Sequence, residues 1–117
     1  MEHSLERSGT LTTLTIEGEL TLPHAEGLKA ALLALLGEEG DVAVRLTRVT
    51  DMDLSCLQLL CSAHRTADAG GRNLTLSAED PREFRRLREA AGFVREKGCG
   101  PGREHTCLWL EMADNKD

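Results

Sequence analysis

"VAVRLTRVTDMDLSCLQLL", residues 42–60, changes its apolar period halfway along, and that change decides the fold. Val42, Val44 and Leu46 recur at every second residue with Ala43, Arg45 and Thr47 opposite, the pattern of a half-buried strand. From Leu57 to Ala69 the spacing is helical instead, with Leu57, Leu60, Cys61 and His64 on one stripe and a stop at Gly70 and Gly71. A strand ending at Met52 or Asp53 thus runs straight into a helix. The same step occurs on either side. "LTTLTIEGEL", residues 11–20, alternates Leu14, Ile16, Gly18 and Leu20 against Thr13, Thr15, Glu17 and Glu19. After Pro23, Leu28, Ala31, Leu32, Leu35 and Leu36 fall at helical spacing and end at Gly37. "NLTLSA", residues 73–78, is a short strand with Leu74, Leu76 and Ala78 inward. A helix follows, with Asp80 as N-cap, Pro81 at its first position, Glu83 closing a capping box, and Phe84, Leu87 and Ala91 as its buried stripe.

Strand and helix alternate three times with short connections, so the expected fold class is α/β: a central, mostly parallel or mixed sheet packed against helices. The 117 residues amount to one domain, with a core over about 11–93 and a loop plus C-terminal strand or tail over 94–117. One Trp, two Phe and no Tyr leave that core to aliphatic side chains.

Charge narrows the partners. Fourteen Lys and Arg against twenty Asp and Glu give a net charge of −6, a field that repels a phosphate backbone, so nucleic acid is not expected as a partner. The opening "MEHSLERSG" has neither a basic nor an apolar signal region, and no run approaches the ~20 apolar residues that span a bilayer. The expectation is a cytoplasmic protein with no direct membrane insertion, whose Cys56, Cys61, Cys99 and Cys107 are free thiols.

Catalytic chemistry finds no support. A serine nucleophile needs a base within hydrogen-bond reach, and no spacing ties His24, His64 or His105 to Ser55. His64 lies about 13 Å further along the same helix at ~1.5 Å rise per residue. There is no nucleophile elbow, Walker loop or dinucleotide fingerprint, so no cofactor is expected. Cys99, His105 and Cys107 share one Gly/Pro loop, but structural zinc sites use four ligands, and an ordinary loop is the expectation. In "REFRRLRE" the arginines interleave with Glu83 and Glu89, which reads as a solvated helix face.

Ser55 has a structural reading and a functional one. Ser55 and Gln58 fit an S-x-x-Q capping box, with Leu54 and Leu59 at the hydrophobic-staple positions. Ser55 also lies at the carboxyl-end rim of the sheet, where α/β folds place their sites, on a helix N-terminus that favours a phosphate. A phosphate there adds negative charge beside Asp51 and Asp53.

Residues 49–93 resemble the core of a STAS domain, the module of sulfate transporters and anti-sigma factor antagonists. "EGEL" at 17–20 is similar to that family's first-strand signature, "VTDMDLSCLQLL" to its strand-to-helix turn, and "AGGRNLTL" and "LREAAGF" to its later landmarks. The resemblance implies a non-enzymatic partner-switching domain that binds an anti-sigma factor which is also a serine kinase and lets go once phosphorylated. By position it implies Ser55 as the phosphate acceptor, Asp53 as the family's aspartate, and Leu54, Cys56 and Gln58 as partner-binding neighbours. Leu54 stands where a hydroxyl residue is usual and Cys56 where glycine is, and the cysteine side chain is expected to narrow a kinase's approach. The other function that the family offers is a constitutive subunit of an ABC-type lipid transport complex that binds the ATPase.

Overall fold

The computed structural model describes residues 1–90. Ala91, the loop carrying Cys99, His105 and Cys107, and the C-terminal strand or tail lie outside the described residues. The elements are β1 (Glu2–Ser8), β2 (Leu11–Leu20), α1 (Ala25–Leu36), β3 (Asp41–Met52), α2 (Leu54–Ala69), β4 (Leu74–Ala78) and α3 (Pro81–Ala90). One 3₁₀ turn, Leu22–His24, joins β2 to α1. The four strands lie in the order β1-β2-β3-β4, with β2, β3 and β4 parallel and β1 antiparallel to β2.

The alternating patterns fix which face of the sheet is covered. Leu14 and Ile16 of β2, Val42, Val44 and Leu46 of β3, and Leu74 and Leu76 of β4 are buried in one cluster. The helices contribute Leu28, Leu32 and Leu35 from α1, Leu57, Leu60, Cys61 and Ala67 from α2, and Phe84 and Leu87 from α3. Each fully buried leucine contributes roughly 1.5–3 kcal/mol by leaving water. His64 is buried on the α2 stripe.

β1 is a strand that no apolar period announces, since Leu5 is its one aliphatic residue and all seven residues are exposed. Backbone pairing holds it, in register from Glu2 opposite Glu17 to Ser8 opposite Leu11. The two-residue connection begins with Gly9 at φ 61, as primed hairpin turns require. Two further departures from expectation have local causes. Arg88 leaves the solvated face of α3 and is buried, its guanidinium 5.8 Å from the Phe84 ring centroid. Asp80 caps α3 as expected, accepting from the Glu83 amide at 3.2 Å, while the Glu83 carboxylate is held by Arg86 through bonds of 3.0 and 2.5 Å.

Where β2 passes β3 the register slips between Glu17 and Gly18 and again between Gly18 and Glu19. Arg48 and Thr50 are the residues that β3 leaves unpaired, and Arg48 takes a φ of 47. Such bulges bend and twist a strand. They sit just before the carboxyl end of β3, where the chain turns into α2.

Candidate functional site at the carboxyl rim of the sheet

Two neighbouring parallel strands end side by side here. The Asp53 amide donates to the Leu20 carbonyl at 2.9 Å, so the turn after β3 is tied to the end of β2. Asp53 is extended, with φ −131, and α2 starts immediately after it.

The N-cap of α2 is Asp53, not Ser55. The Asp53 Oδ1 accepts from the Cys56 amide at 3.3 Å, and the Ser55 hydroxyl donates to the same oxygen at 2.8 Å. Aspartate caps a helix as well as serine does. With Asp53 in that role, Ser55 becomes the second helical residue and its hydroxyl is a donor rather than a cap. The expected S-x-x-Q box is therefore corrected, and Gln58 stays exposed on the outer face of the helix, one turn beyond Ser55. The staple positions shift as well, from Leu54 and Leu59 to Met52 and Leu57, both buried. In the sequence Asp53 and Ser55 are equally good caps two positions apart, and spacing alone does not choose between them.

The Asp53 carboxylate does a second job that the sequence did not show. Its Oδ2 accepts from the Leu22 amide at 2.5 Å. Leu22 opens the 3₁₀ turn, so its amide has no acceptor inside that turn. One carboxylate thus satisfies the amide ends of two helical turns from adjacent loops. Burial pushes the Asp53 pKa up, but hydrogen bonds from the Ser55 hydroxyl and from the Cys56, Leu22 and Ser55 amides outweigh it. The carboxyl therefore titrates below the ordinary 3.8.

A depressed folded-state pKa stabilises the protein above the unfolded value and loses that contribution as pH falls through the folded one. Asp53→Ala is accordingly expected to cost about 1 kcal/mol near neutral pH, as loss of an N-cap does. In denaturant titrations the gap from wild type should close as pH drops below 3.8. A gap that stays constant down to acid pH would sink this account of the cap.

Cys56 does not stand at the rim. Its side chain is 0 % exposed, with Sγ 3.5 Å from the Thr21 carbonyl. The expected narrowing of a kinase's approach by Cys56 is therefore corrected, because the third helical residue points its side chain into the core. Burial, with the Asp53 carboxylate beside it, pushes this thiol up to about 11, so it stays protonated and unreactive near neutral pH.

What the rim presents is Leu22, 66 % exposed, and Leu54, 42 % exposed, with the half-buried Ser55 hydroxyl next to Leu54. Glu19 and Asp51, paired across β2 and β3, make the border acidic. Leu22 escaped the sequence reading because a lone leucine before proline carries no period. Among the described residues no group of three or more His, Cys, Asp or Glu side chains could hold a metal ion. No helix among them is long and apolar enough to cross a membrane.

Known proteins share this fold. The fold matches the unphosphorylated form of the anti-sigma factor antagonist SpoIIAA with a TM-score of 0.54 at 20% identity, over 74% of this chain and 82% of that one. It matches the phosphorylated form of SpoIIAA, a Bacillus cell fate determinant, with a TM-score of 0.55 at 18% identity, over 79% and 85%. It also matches part of Mglu in its native form, with a TM-score of 0.57 at 21% identity over 65% of this chain. The chain spans only 23% of that protein's length. No curated protein matches the sequence. The family model described as "Mlab, STAS domain" matches residues 3–95, from β1 through α3. A family match over that much of the chain, on a fold shared with an anti-sigma factor antagonist, makes the conclusion plain: the chain belongs to the STAS domain family.

Proposed function

We propose that the chain is a non-enzymatic, cytoplasmic protein-binding module of the anti-sigma factor antagonist kind. Its partner is an anti-sigma factor that is also a serine kinase, and phosphorylation of Ser55 ends the complex. The observation that carries this is the placement of the Ser55 hydroxyl. It sits half-buried on the first turn of α2, beside the exposed Leu54 and bonded to Asp53 at 2.8 Å. Leu22 and Leu54 supply apolar contact, and Gln58 lies one turn further along the same helix. In the transfer, Ser55 Oγ forms a bond to the γ-phosphorus of ATP and the bond to the leaving ADP breaks. The hydroxyl proton passes to a base of the kinase.

The Ser55 phosphate then carries nearly two negative charges beside Asp53, on a rim already bordered by Glu19 and Asp51. A partner fitted to the neutral serine meets an unpaired, desolvated charge, which costs several kcal/mol in an interface. The buried position of Cys56 supports the reading, since its side chain turns into the core and does not cover the rim.

A second reading, a constitutive STAS subunit that binds the ATPase of an ABC-type lipid transport complex, is supported by two observations. Leu54 is apolar where antagonists carry a hydroxyl, and the matching family model is described for Mlab rather than for an antagonist. One experiment separates the two. The chain is captured from its source cell with its partner, incubated with ATP, and compared with Ser55→Ala and Ser55→Asp. The switch predicts one phosphate on the wild type, none on Ser55→Ala, and at least about a hundredfold weaker binding by Ser55→Asp, the equivalent of roughly 3 kcal/mol. An ATPase that copurifies equally with all three would overturn the switch and support the subunit.

A further inference from the structure

We infer that Asp53 is a latch between the Ser55 turn and the Leu22 turn, and that phosphate on Ser55 opens it and frees the segment that presents Leu22. The inference rests on the reading of Ser55 as a phosphate acceptor and deepens it: the modification is transmitted to a second loop rather than confined to the serine.

The geometry is a relay through one carboxylate. On one side, Asp53 Oδ1 takes the Ser55 hydroxyl at 2.8 Å and the Cys56 amide at 3.3 Å. On the other, Oδ2 takes the Leu22 amide at 2.5 Å. Asp53 belongs to the β3–α2 connection and Leu22 to the β2–α1 connection, 31 residues away in sequence. In the 3₁₀ turn the His24 amide closes onto the Thr21 carbonyl at 2.8 Å, but Leu22, at its first position, depends on Asp53.

Phosphorylation changes the sign of the first contact. While Ser55 is free, its hydroxyl donates to Asp53. Once Oγ carries phosphorus, the donor is gone and a dianion stands where the hydroxyl proton was. The phosphate oxygens also compete for the helix-end amides, including the Cys56 amide that Asp53 now caps. Two anions do not share those donors, and in the latch it is the carboxylate that yields. Its rotation about χ1 carries Oδ2 away from Leu22. With Leu22 goes the more exposed of the two rim leucines. Asp53 is in this sense a positioning residue: it acts on a partner through the loop it holds.

The test uses the full chain with phosphoserine incorporated at position 55 during synthesis, and reads amide hydrogen exchange residue by residue. Exchange at Leu22 should rise about tenfold, the loss of roughly one charge-assisted hydrogen bond, while Val44 in the middle of β3 keeps its rate. Asp53→Ala should raise Leu22 exchange by a similar factor without any phosphate. Gln58→Glu adds a charge on the exposed face of the same helix without removing the hydroxyl donor, and should leave Leu22 unchanged. Unchanged Leu22 exchange in the phosphoserine protein overturns the latch. So does an equal rise in Gln58→Glu, which would assign the effect to charge alone. Because the phosphate is built in, the absence of any kinase acting on Ser55 would defeat the proposed switch and leave this result standing.

Discussion

Gly40→Ala is expected to lower the free energy of unfolding by about 2–4 kcal/mol. Gly40 ends the connection from α1 to β3 with a φ of 87, a conformation that costs an L-residue roughly 1–2 kcal/mol. A methyl group there would also stand 2.4 Å from the Thr10 carbonyl oxygen in the β1–β2 turn, and that oxygen is backbone, so either turn must move to make room. Gly71 separates the two contributions, because it has a φ of 74 with nothing within 4 Å of its would-be methyl. Gly71→Ala should show the conformational cost alone, about 1–2 kcal/mol. Denaturant midpoints for both variants make the comparison. If Gly40→Ala is no worse than Gly71→Ala, the approach of Thr10 is not a constraint.

Arg72→Ala should cost about 2–3 kcal/mol, the upper range for a charged side chain bonded to the backbone. Its guanidinium donates to the Leu36 carbonyl at 2.8 Å, the Glu38 carbonyl at 2.6 Å and the Gly40 carbonyl at 2.9 Å. These are carbonyls at the end of α1 and in the loop after it, which the helix itself leaves without partners. Lysine carries the charge but not the fork of donors, so Arg72→Lys should recover less than half of the loss in the same unfolding measurement. Full recovery would mean that charge near the helix end matters and the three bonds do not. Both Gly40 and Arg72 act where β3 begins, at the opposite end of that strand from Ser55. Variants there lower stability without touching the rim, and so serve as controls for any loss of partner binding seen in Ser55 or Asp53 variants.

The fold was legible where burial imposes a period. The inward residues of β2, β3 and β4 and the stripes of α1 and α2 followed directly from spacing, because each of those elements has one face on a single core. β1 was not legible, since a strand held by its backbone against β2 needs no apolar residues. The site divided in the same way. Ser55 at a helix start, on the rim of an α/β sheet, could be read from residues 42–60 alone. Which residue caps the helix could not, because Asp53 and Ser55 are both good caps two positions apart, and the choice depends on where β3 lets go.

The sequence by itself determined the alternation of strands and helices, the aliphatic core and the presence of a serine at the turn into α2. These rest on local spacing and composition, which the chain carries before it folds. Only the tertiary structure decided that Cys56 turns inward, that Leu22 joins Leu54 on the rim, and that one carboxylate holds both loops. The reason is physical: Asp53 and Leu22 are brought within 2.5 Å only because β2 and β3 run parallel and end together. No spacing along the chain encodes that meeting.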